Sequence, residues 1–106
     1  MTEPGQLMTI AALQTSIEQD MEPPSGITGP LAAHWHVGKG NLDKAMELLK
    51  SEAGKDAAWV RAHLHRRKGE DDEAREWYAR AEQASAEDEA LHEEWSRIAM
   101  GLMLKG

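Results

Sequence analysis

The feature of this sequence that most constrains its fold is an internal repeat. Residues 31–52, LAAHWHVGKGNLDKAMELLKSE, align without gaps with residues 60–81, VRAHLHRRKGEDDEAREWYARA, at an offset of 29 positions. A short unit that occurs twice is typical of helical repeat proteins, in which each unit buries its apolar face against its neighbour. Eight of the 22 aligned pairs are identical: Ala33 and Ala62, His34 and His63, His36 and His65, Lys39 and Lys68, Gly40 and Gly69, Asp43 and Asp72, Ala45 and Ala74, and Glu47 and Glu76.

Each copy of the repeat predicts two helices joined by a tight turn. Apolar residues recur three or four positions apart on both sides of a glycine, which is the pattern of two amphipathic helices. We therefore predict two tandem antiparallel helical hairpins, at about 30–52 and 57–83, with corners at Gly40 and Gly69. Asp56 is placed to cap the first helix of the second hairpin.

Two further helices are predicted to flank the hairpins. Apolar residues spaced three or four apart indicate one helix at about 6–21, and a second stripe indicates a helix at about 86–104 that begins after a capping-box residue, Ser85. Two hairpins are few for a repeat protein, so these helices would act as caps. No segment alternates with the period of a strand. Residues 1–106 are predicted to form a single all-α domain.

The corner and second helix of the second copy resemble a known repeat family. KGEDDEAREWYARA, residues 68–81, is similar to the turn and second helix of a tetratricopeptide repeat. Two departures are visible, because Asp71 replaces the usual aromatic residue after the corner and the offset of 29 is shorter than the family's period of about 34 residues. The positions that match the family pattern are Gly69, Ala74, Tyr78 and Ala81, with Ala62 in the preceding helix, while His36 and His65 fall where an aromatic ring is usual.

A longer resemblance covers about residues 20–106. The chain is similar to a group of small bacterial tetratricopeptide-like helical proteins to which no activity is assigned. The shared features are a helix bearing Trp35 and His36, a corner with the pattern LHR..G and a helix with the pattern WY.RA. Glu70 and Glu73 depart from the Asp and Asn common in that group. The resemblance implies a tetratricopeptide-like fold and brings no catalytic function with it.

The charge balance restricts the classes of partner. Twelve Lys and Arg residues against nineteen Asp and Glu residues give a formal net charge of −7 and a pI near 5.1. Nucleic acids and anionic membranes require a basic surface, so neither is an expected partner. There are no cysteines, and the N-terminal residues lack the pattern of a signal peptide. We therefore expect a cytoplasmic protein.

The charge run at the second corner has a simple interpretation. Arg66, Arg67 and Lys68 come at the end of one predicted helix, and the acids of residues 70–73 begin the next. Cations are favourable at a helix C-terminus and anions at an N-terminus, by about 0.3–1 kcal/mol each. The helix ends therefore account for the charges, and a basic binding patch is the less favoured alternative because four acids adjoin it.

The histidines are predicted to be packing residues. Two histidines that are two positions apart point about 200° apart around a helix and cannot chelate one ion. Stacking of the hairpins could bring His34 and His63 together, and Glu89 with His92 has the spacing of half a di-metal site. The residues do not supply the additional carboxylates that such a site needs. We expect no catalytic residue, no cofactor and no bound metal.

The sequence favours a protein-interaction module that binds a protein partner or a second copy of itself. No phosphate-binding loop, nucleophile elbow or HExxH motif is present. Met100 and Met103 lie off the apolar stripe of the last helix, which makes that helix the expected surface for self-association. The alternative is a small metal-binding or hydrolytic protein that uses the paired histidines and nearby carboxylates. The candidate binding residues are Trp35, His36, Trp59, His63, His65, Trp77, Met100 and Met103.

Overall fold

The described part of the chain, residues 9–86 and 88–105, consists of helices and contains no strand. The structure is a computed structural model. The prediction of an all-α chain is confirmed. None of the helices in the described ranges is long and apolar enough to cross a lipid bilayer. The six helices are α1 (Ile10–Gln19), α2 (Gly29–Lys39), α3 (Leu42–Leu49), α4 (Lys55–Arg67), α5 (Asp71–Ala81) and α6 (Leu91–Lys105).

The two repeated corners have the same backbone geometry. Gly40, which follows α2, has a φ of 91°, a left-handed conformation that only glycine adopts without strain. The amide of Asn41 then donates to the carbonyl oxygen of His36 at 2.9 Å, as in a Schellman motif. The corner between α4 and α5 repeats this geometry 29 positions later, with a φ of 79° at Gly69 and a 2.9 Å bond from the amide of Glu70 to the carbonyl oxygen of His65.

The helices pack in the order that the repeat suggests. α2 packs against α3, α4 packs against α5, and α2 also contacts α4. α6 lies across α2 and α4, and α1 packs against α2 and α6. The core therefore lies between the two helical pairs and α6. Its largest fully buried apolar side chains are Trp35, Leu49, Leu64, Ile98 and Leu13.

Several helix boundaries differ from the expected ones. α6 begins at Leu91 rather than near residue 86. The preceding residues form a turn in which the amide of Glu89 donates to the carbonyl oxygen of Ala86, so the capping-box pattern does not start a helix here. α4 begins two residues earlier than expected, and its N-cap is Gly54 rather than Asp56. The predicted start of the first helix, residues 6–8, lies outside the described residues.

Gly38 allows α2 to approach α1 and α6 closely. A Cβ atom at this position would lie 2.8 Å from Cδ1 of Ile17 and 2.8 Å from Cε2 and Nε1 of the Trp95 indole. Carbon atoms in contact are normally about 3.5–4.0 Å apart. The indole is rigid and buried, so it cannot move aside as the end of a flexible side chain would. The close approach of these helices depends on a missing side chain.

Replacement of Gly38 by alanine is therefore expected to destabilise the fold. In an open position within a helix the same change would stabilise by about 1 kcal/mol, whereas overpacking here should cost about 1–3 kcal/mol. The sign of the change is thus diagnostic. Urea unfolding of the wild type and of Gly38→Ala measures it, and a variant as stable as the wild type or more stable would contradict the close packing.

Candidate functional site

A fully buried carboxylate lies at the centre of the most polar part of the core. Glu94 of α6 is 0% exposed. Its Oε1 accepts hydrogen bonds from Nδ1 of His63 at 2.7 Å and from Nη1 of Arg66 at 2.9 Å. Its Oε2 accepts a hydrogen bond from the hydroxyl of Tyr78. Three donors from α4 and α5 therefore converge on a single side chain of α6.

These donors keep Glu94 ionised. Burial alone raises the pKa of a carboxyl group. For Glu94 that effect is outweighed by the hydrogen bonds from His63, Tyr78 and Arg66, so the pKa lies below its ordinary value. Burial and the bond to the carboxylate raise the pKa of Tyr78, which therefore stays protonated and donates. Glu94 is a buried anion that the repeat neutralises.

The hydrogen bonds of His63 fix its tautomer and its charge. Nε2 of the ring accepts a hydrogen bond from Nε of Arg67 at 2.8 Å, and a guanidinium can only donate. The ring proton must then reside on Nδ1, which donates to Glu94. Burial, together with the charges of Arg67 and Arg66, lowers the pKa of His63 despite the adjacent carboxylate. His63 is therefore a neutral bridge between a buried anion and a guanidinium.

His34 joins α2 to α6 through a reciprocal pair of hydrogen bonds. Its Nε2 donates to the carbonyl oxygen of Trp95 at 2.9 Å, and Nε1 of Trp95 donates to the carbonyl oxygen of His34 at 2.8 Å. The two rings are stacked, with centroids 4.8 Å apart. Burial, reinforced by the nearby His63, lowers the pKa of His34 to about 3. The imidazole is neutral, and its Nδ1 is buried with no hydrogen-bond partner in the described part of the chain.

The matching histidines of the two repeats meet in the core. The ring centroids of His34 and His63 are 5.6 Å apart, with the planes at 65°, as the repeat alignment allowed. We refer to the group around them as the buried polar cluster. It links α2, α4, α5 and α6 and consists of His34, His63, Arg66, Arg67, Tyr78, Glu94 and Trp95.

The interpretation of the charge run at the second corner needs a correction. Arg66 was expected to lie at an exposed helix end, yet its side chain is only 12% exposed and pairs with Glu94. Arg67 likewise turns towards His63. Of the three cations, Lys68 keeps the expected surface role, with Nζ 3.9 Å from Oε2 of Glu70. Arginine has a long side chain that reaches the core from a helix end, which the helix-dipole interpretation did not consider.

A second group of polar residues lies at the same corner, nearer to solvent. Nδ1 of His65 is 2.7 Å from Oε1 of Glu70, and a ligand atom of Glu73 completes a set whose members lie within 4.8 Å of one another. The bond to His65 lowers the pKa of Glu70. An imidazole with two carboxylates is a donor set that suits a divalent metal ion.

The candidate binding residues fall into two groups. Trp35, Trp59, His36, His63 and His65 are buried, so their contacts are made within the chain. For example, Nε1 of Trp35 donates to Oγ of Ser16 at 3.1 Å. The remaining candidates reach the surface: Trp77 and Met103 are partly buried, and Met100 is 51% exposed.

Trp77 forms the wall of a surface cavity of about 400 Å³, which we call the Trp77 pocket. The central guanidinium carbons of Arg61 and Arg80 lie 4.7 and 4.6 Å from the centroid of the indole, the distance of a cation–π contact. The pocket lies between α5, the start of α4 and the segment that joins α3 to α4. Its lining residues are Glu52, Ala53, Gly54, Lys55, Ala57, Ala58, Arg61, Trp77 and Arg80.

Sequence reasoning missed the most connected side chain, Glu94. One signal could have found it, because Glu94 falls four positions before Ile98 and eight before Leu102, on the stripe that packs into the core. An acid on an apolar stripe requires buried donors. Tyr78 and Arg66 were noticed for other reasons and were not connected with it.

Comparisons of the chain with protein-family models, with curated proteins and with solved structures find no match.

Replacement of Glu94 by glutamine should destabilise the fold by about 3 kcal/mol or more, because it removes the negative charge of a buried ion pair that includes Arg66. Glutamine keeps the shape of the side chain, but its amide also places a donor among three donors. The neighbouring Glu93 is exposed, so Glu93→Gln is the matched control and should change stability by less than about 0.5 kcal/mol. Equal unfolding free energies for the two variants would contradict the assigned network.

Stability should fall as the solution becomes acidic, and the fall should begin near neutrality. His34 has a pKa of about 3 when folded, against an ordinary value of 6.5, so between these values the unfolded chain binds the proton and the folded chain does not. The contribution of His34 to the unfolding free energy is therefore fully present above pH 6.5. It decreases towards pH 3, by about 1.4 kcal/mol per pH unit for a fully buried group. His63 and His36, whose pKa values are also lowered, act in the same direction.

Urea unfolding at a series of pH values measures this slope. From about pH 7.5 to about pH 5, His34 alone should remove about 2 kcal/mol. His34→Gln should have a shallower pH dependence of stability than the wild type. A stability that does not vary with pH over this interval would contradict the neutral, buried state of His34.

Proposed function

We propose that this protein is a small helical-repeat module that binds a segment of another protein or a second copy of itself. The two helical pairs would be tandem tetratricopeptide-like units, and α1 and α6 would cap them. The matching corners at Gly40 and Gly69 support this assignment, as do the alanines that both copies bury at the same repeat positions, Ala33 with Ala62 and Ala45 with Ala74.

One observation favours binding over catalysis. The side chains that could act as a general acid or base, His34, His63 and Glu94, are fully buried and hydrogen-bonded within the buried polar cluster. A general acid or base must come within hydrogen-bond reach of its substrate, and these groups face the protein interior. The residues that reach solvent include a tryptophan flanked by arginines and an apolar end of α6, which are features of recognition surfaces.

The apolar end of α6 supports the self-association branch of this proposal. Met100 is 51% exposed and Leu104 is 85% exposed. Met103, which was also expected on this surface, is partly buried against the core and can contribute only its exposed part. Two-fold pairing of such a surface is the commonest way to cover it.

Photo-crosslinking in host cells tests the proposal and separates its branches. A benzophenone amino acid would replace Met100 on α6 or Ser51 beside the Trp77 pocket, and Glu18 on the exposed face of α1 would serve as the control position. We expect discrete adducts from Met100 or Ser51 and none from Glu18. A second copy would give an adduct of twice 11.8 kDa, and another protein would give a different mass. The absence of an adduct from both positions would contradict the proposal.

The group formed by His65, Glu70 and Glu73 favours a second candidate function, metal binding. Their ligand atoms lie close together at the second corner. The equivalent residues of the first copy are His36, Asn41 and Lys44, so the carboxylates are not a requirement of the repeat. The hydrogen bond between His65 and Glu70 gives the simpler account of two of the three residues.

A zinc chloride titration followed by the ring resonances of His65 decides between these accounts. The interaction module predicts no saturable shift at micromolar zinc, and metal binding predicts a stoichiometric shift. In the second case Glu73→Gln would weaken zinc binding about tenfold or more. The control variant is Glu76→Gln, which lies one turn further along α5.

A further inference from the structure

We propose that the Trp77 pocket binds carboxylate groups of an acidic peptide segment in a partner protein. The inference deepens the proposed function, on which it rests, by assigning the chemistry of the partner. The carboxylates would pair with Arg80 and Arg61, and an apolar side chain beside them would pack on the indole. Three steps lead to this assignment.

The first step is the state of the cations in the pocket. Arg80 is exposed and lies over the indole of Trp77. A cation–π contact fixes the position of a guanidinium without using its N–H donors. Arg61 lies against the same ring and donates from Nη2 to the carbonyl oxygen of Leu49 at 3.1 Å, which leaves other donors of its five. The two guanidiniums are therefore held in place beside one cavity.

The second step is a comparison of the two repeat copies. The equivalents of Trp77, Arg80 and Arg61 at the offset of 29 are Leu48, Ser51 and Ala32. The first copy builds its helical pair without a ring or a cation at these positions. Packing of the repeat therefore does not require them. The histidines and alanines of the core, in contrast, are the same in both copies.

The third step concerns the charge and size of the ligand. The lining residues supply three cations and one carboxylate, Glu52, on a chain whose formal net charge is −7. One of the cations, Lys55, pairs with Glu82 at 2.8 Å, which leaves the two arginines for a ligand. Anions are attracted to this pocket, while a long polyanion such as a nucleic acid would be repelled by the rest of the surface. The volume of about 400 Å³ lies at the lower end of the range of ligand sites.

An acidic peptide fits these conditions. A guanidinium pairs with a carboxylate through two parallel hydrogen bonds, and Arg61 and Arg80 provide two such groups. Ala57, Ala58 and Trp77 supply an apolar wall for a neighbouring side chain. One rim of the pocket is the exposed segment 53–55, so an extended chain can cross the pocket and leave it again.

The test uses a pair of peptides that differ only in charge. The probe is acetyl-Ala-Leu-Glu-Glu-Leu-Ala-amide, and its control carries two glutamines in place of the glutamates. The indole N–H resonance of Trp77, assigned with Trp77→Phe, is followed in the full-length protein. We expect saturable binding of the acidic peptide with a dissociation constant of about 1 mM or lower and no saturable binding of the control peptide.

Variants connect the binding with the two arginines. Arg80→Gln should weaken the acidic peptide about tenfold, since a charge-assisted hydrogen bond is lost, and Arg61→Gln with Arg80→Gln should abolish saturation. Arg75→Gln, on the same helix but outside the pocket, should bind as the wild type does. Arg80 is exposed, so the folded state of Arg80→Gln can be verified by its unchanged thermal transition.

Several results would overturn the assignment. They are an undisturbed Trp77 resonance at saturating peptide, equal binding of both peptides, undiminished binding by Arg80→Gln, or tighter binding of inorganic phosphate than of the acidic peptide at the same resonance. Failure of this pocket assignment can be distinguished from failure of the proposed function. Crosslinks from Ser51 or Met100 that persist in Arg80→Gln would retain the interaction module and remove only this pocket. Peptide binding without crosslinks in cells would retain the pocket and remove the interaction module.

Discussion

The ionised carboxylate of Glu94 is the constraint on which the rest of the structure depends. A buried charge is strongly unfavourable unless partners compensate it, and within the described residues the partners of Glu94 come from the second repeat. Arg66 and His63 project from α4, and Tyr78 projects from α5. The position of α6 on the repeat is therefore set by directional bonds as well as by apolar contact. An apolar helix could slide or rotate on such a surface, whereas these bonds allow one register.

The residues of the two repeat copies fall into a shared set and a divergent set, which lie in different parts of the structure. Residues that the copies share occupy the corners and the core: the glycines with positive φ, the alanines at helix contacts, and His34 with His63 at the centre. Residues that differ give the second copy its distinct surface, with Trp77 and its two arginines on one side and Glu70 with Glu73 at the corner. The shared residues form the scaffold, and the divergent residues form the surface that distinguishes the second copy.

The repeat explains why much of the fold could be predicted from the sequence. A glycine flanked by two amphipathic segments has few conformations available, so both corners and the four helices beside them followed from local patterns. The juxtaposition of His34 and His63 was raised only as one possible result of stacking the two units. Helix α6 was found, but its start was not. Ser85 has the local pattern of a cap, and the actual start is associated with a tertiary contact, in which Arg66 binds the carbonyl oxygen of Glu89.

The buried polar cluster could not be predicted in the same way. Glu93 and Glu94 are adjacent and chemically identical in the sequence, yet one is exposed and the other is fully buried. The apolar stripe of α6 separates the two positions, but the donors that compensate the buried charge come from α4 and α5, and no local pattern identifies them. Arg66 and Arg67 had a sufficient explanation at the helix end, and so their reach into the core was not anticipated. Long-range compensation between charges is a property of the assembled fold.

The reciprocal bonds between His34 and Trp95 have a consequence for the motions of the chain. α6 is joined to α2 by that pair and to α4 and α5 through Glu94. If α6 detached while the other helices stayed folded, the carboxylate of Glu94 would separate from its donors. The two hydrogen bonds that the rings of His34 and Trp95 make to each other's backbone carbonyl would break at the same time. Opening of α6 is thereby coupled to the opening of three other helices. In hydrogen exchange these four helices would behave as one cooperative unit, and α1, which the buried polar cluster does not include, would be free to exchange earlier.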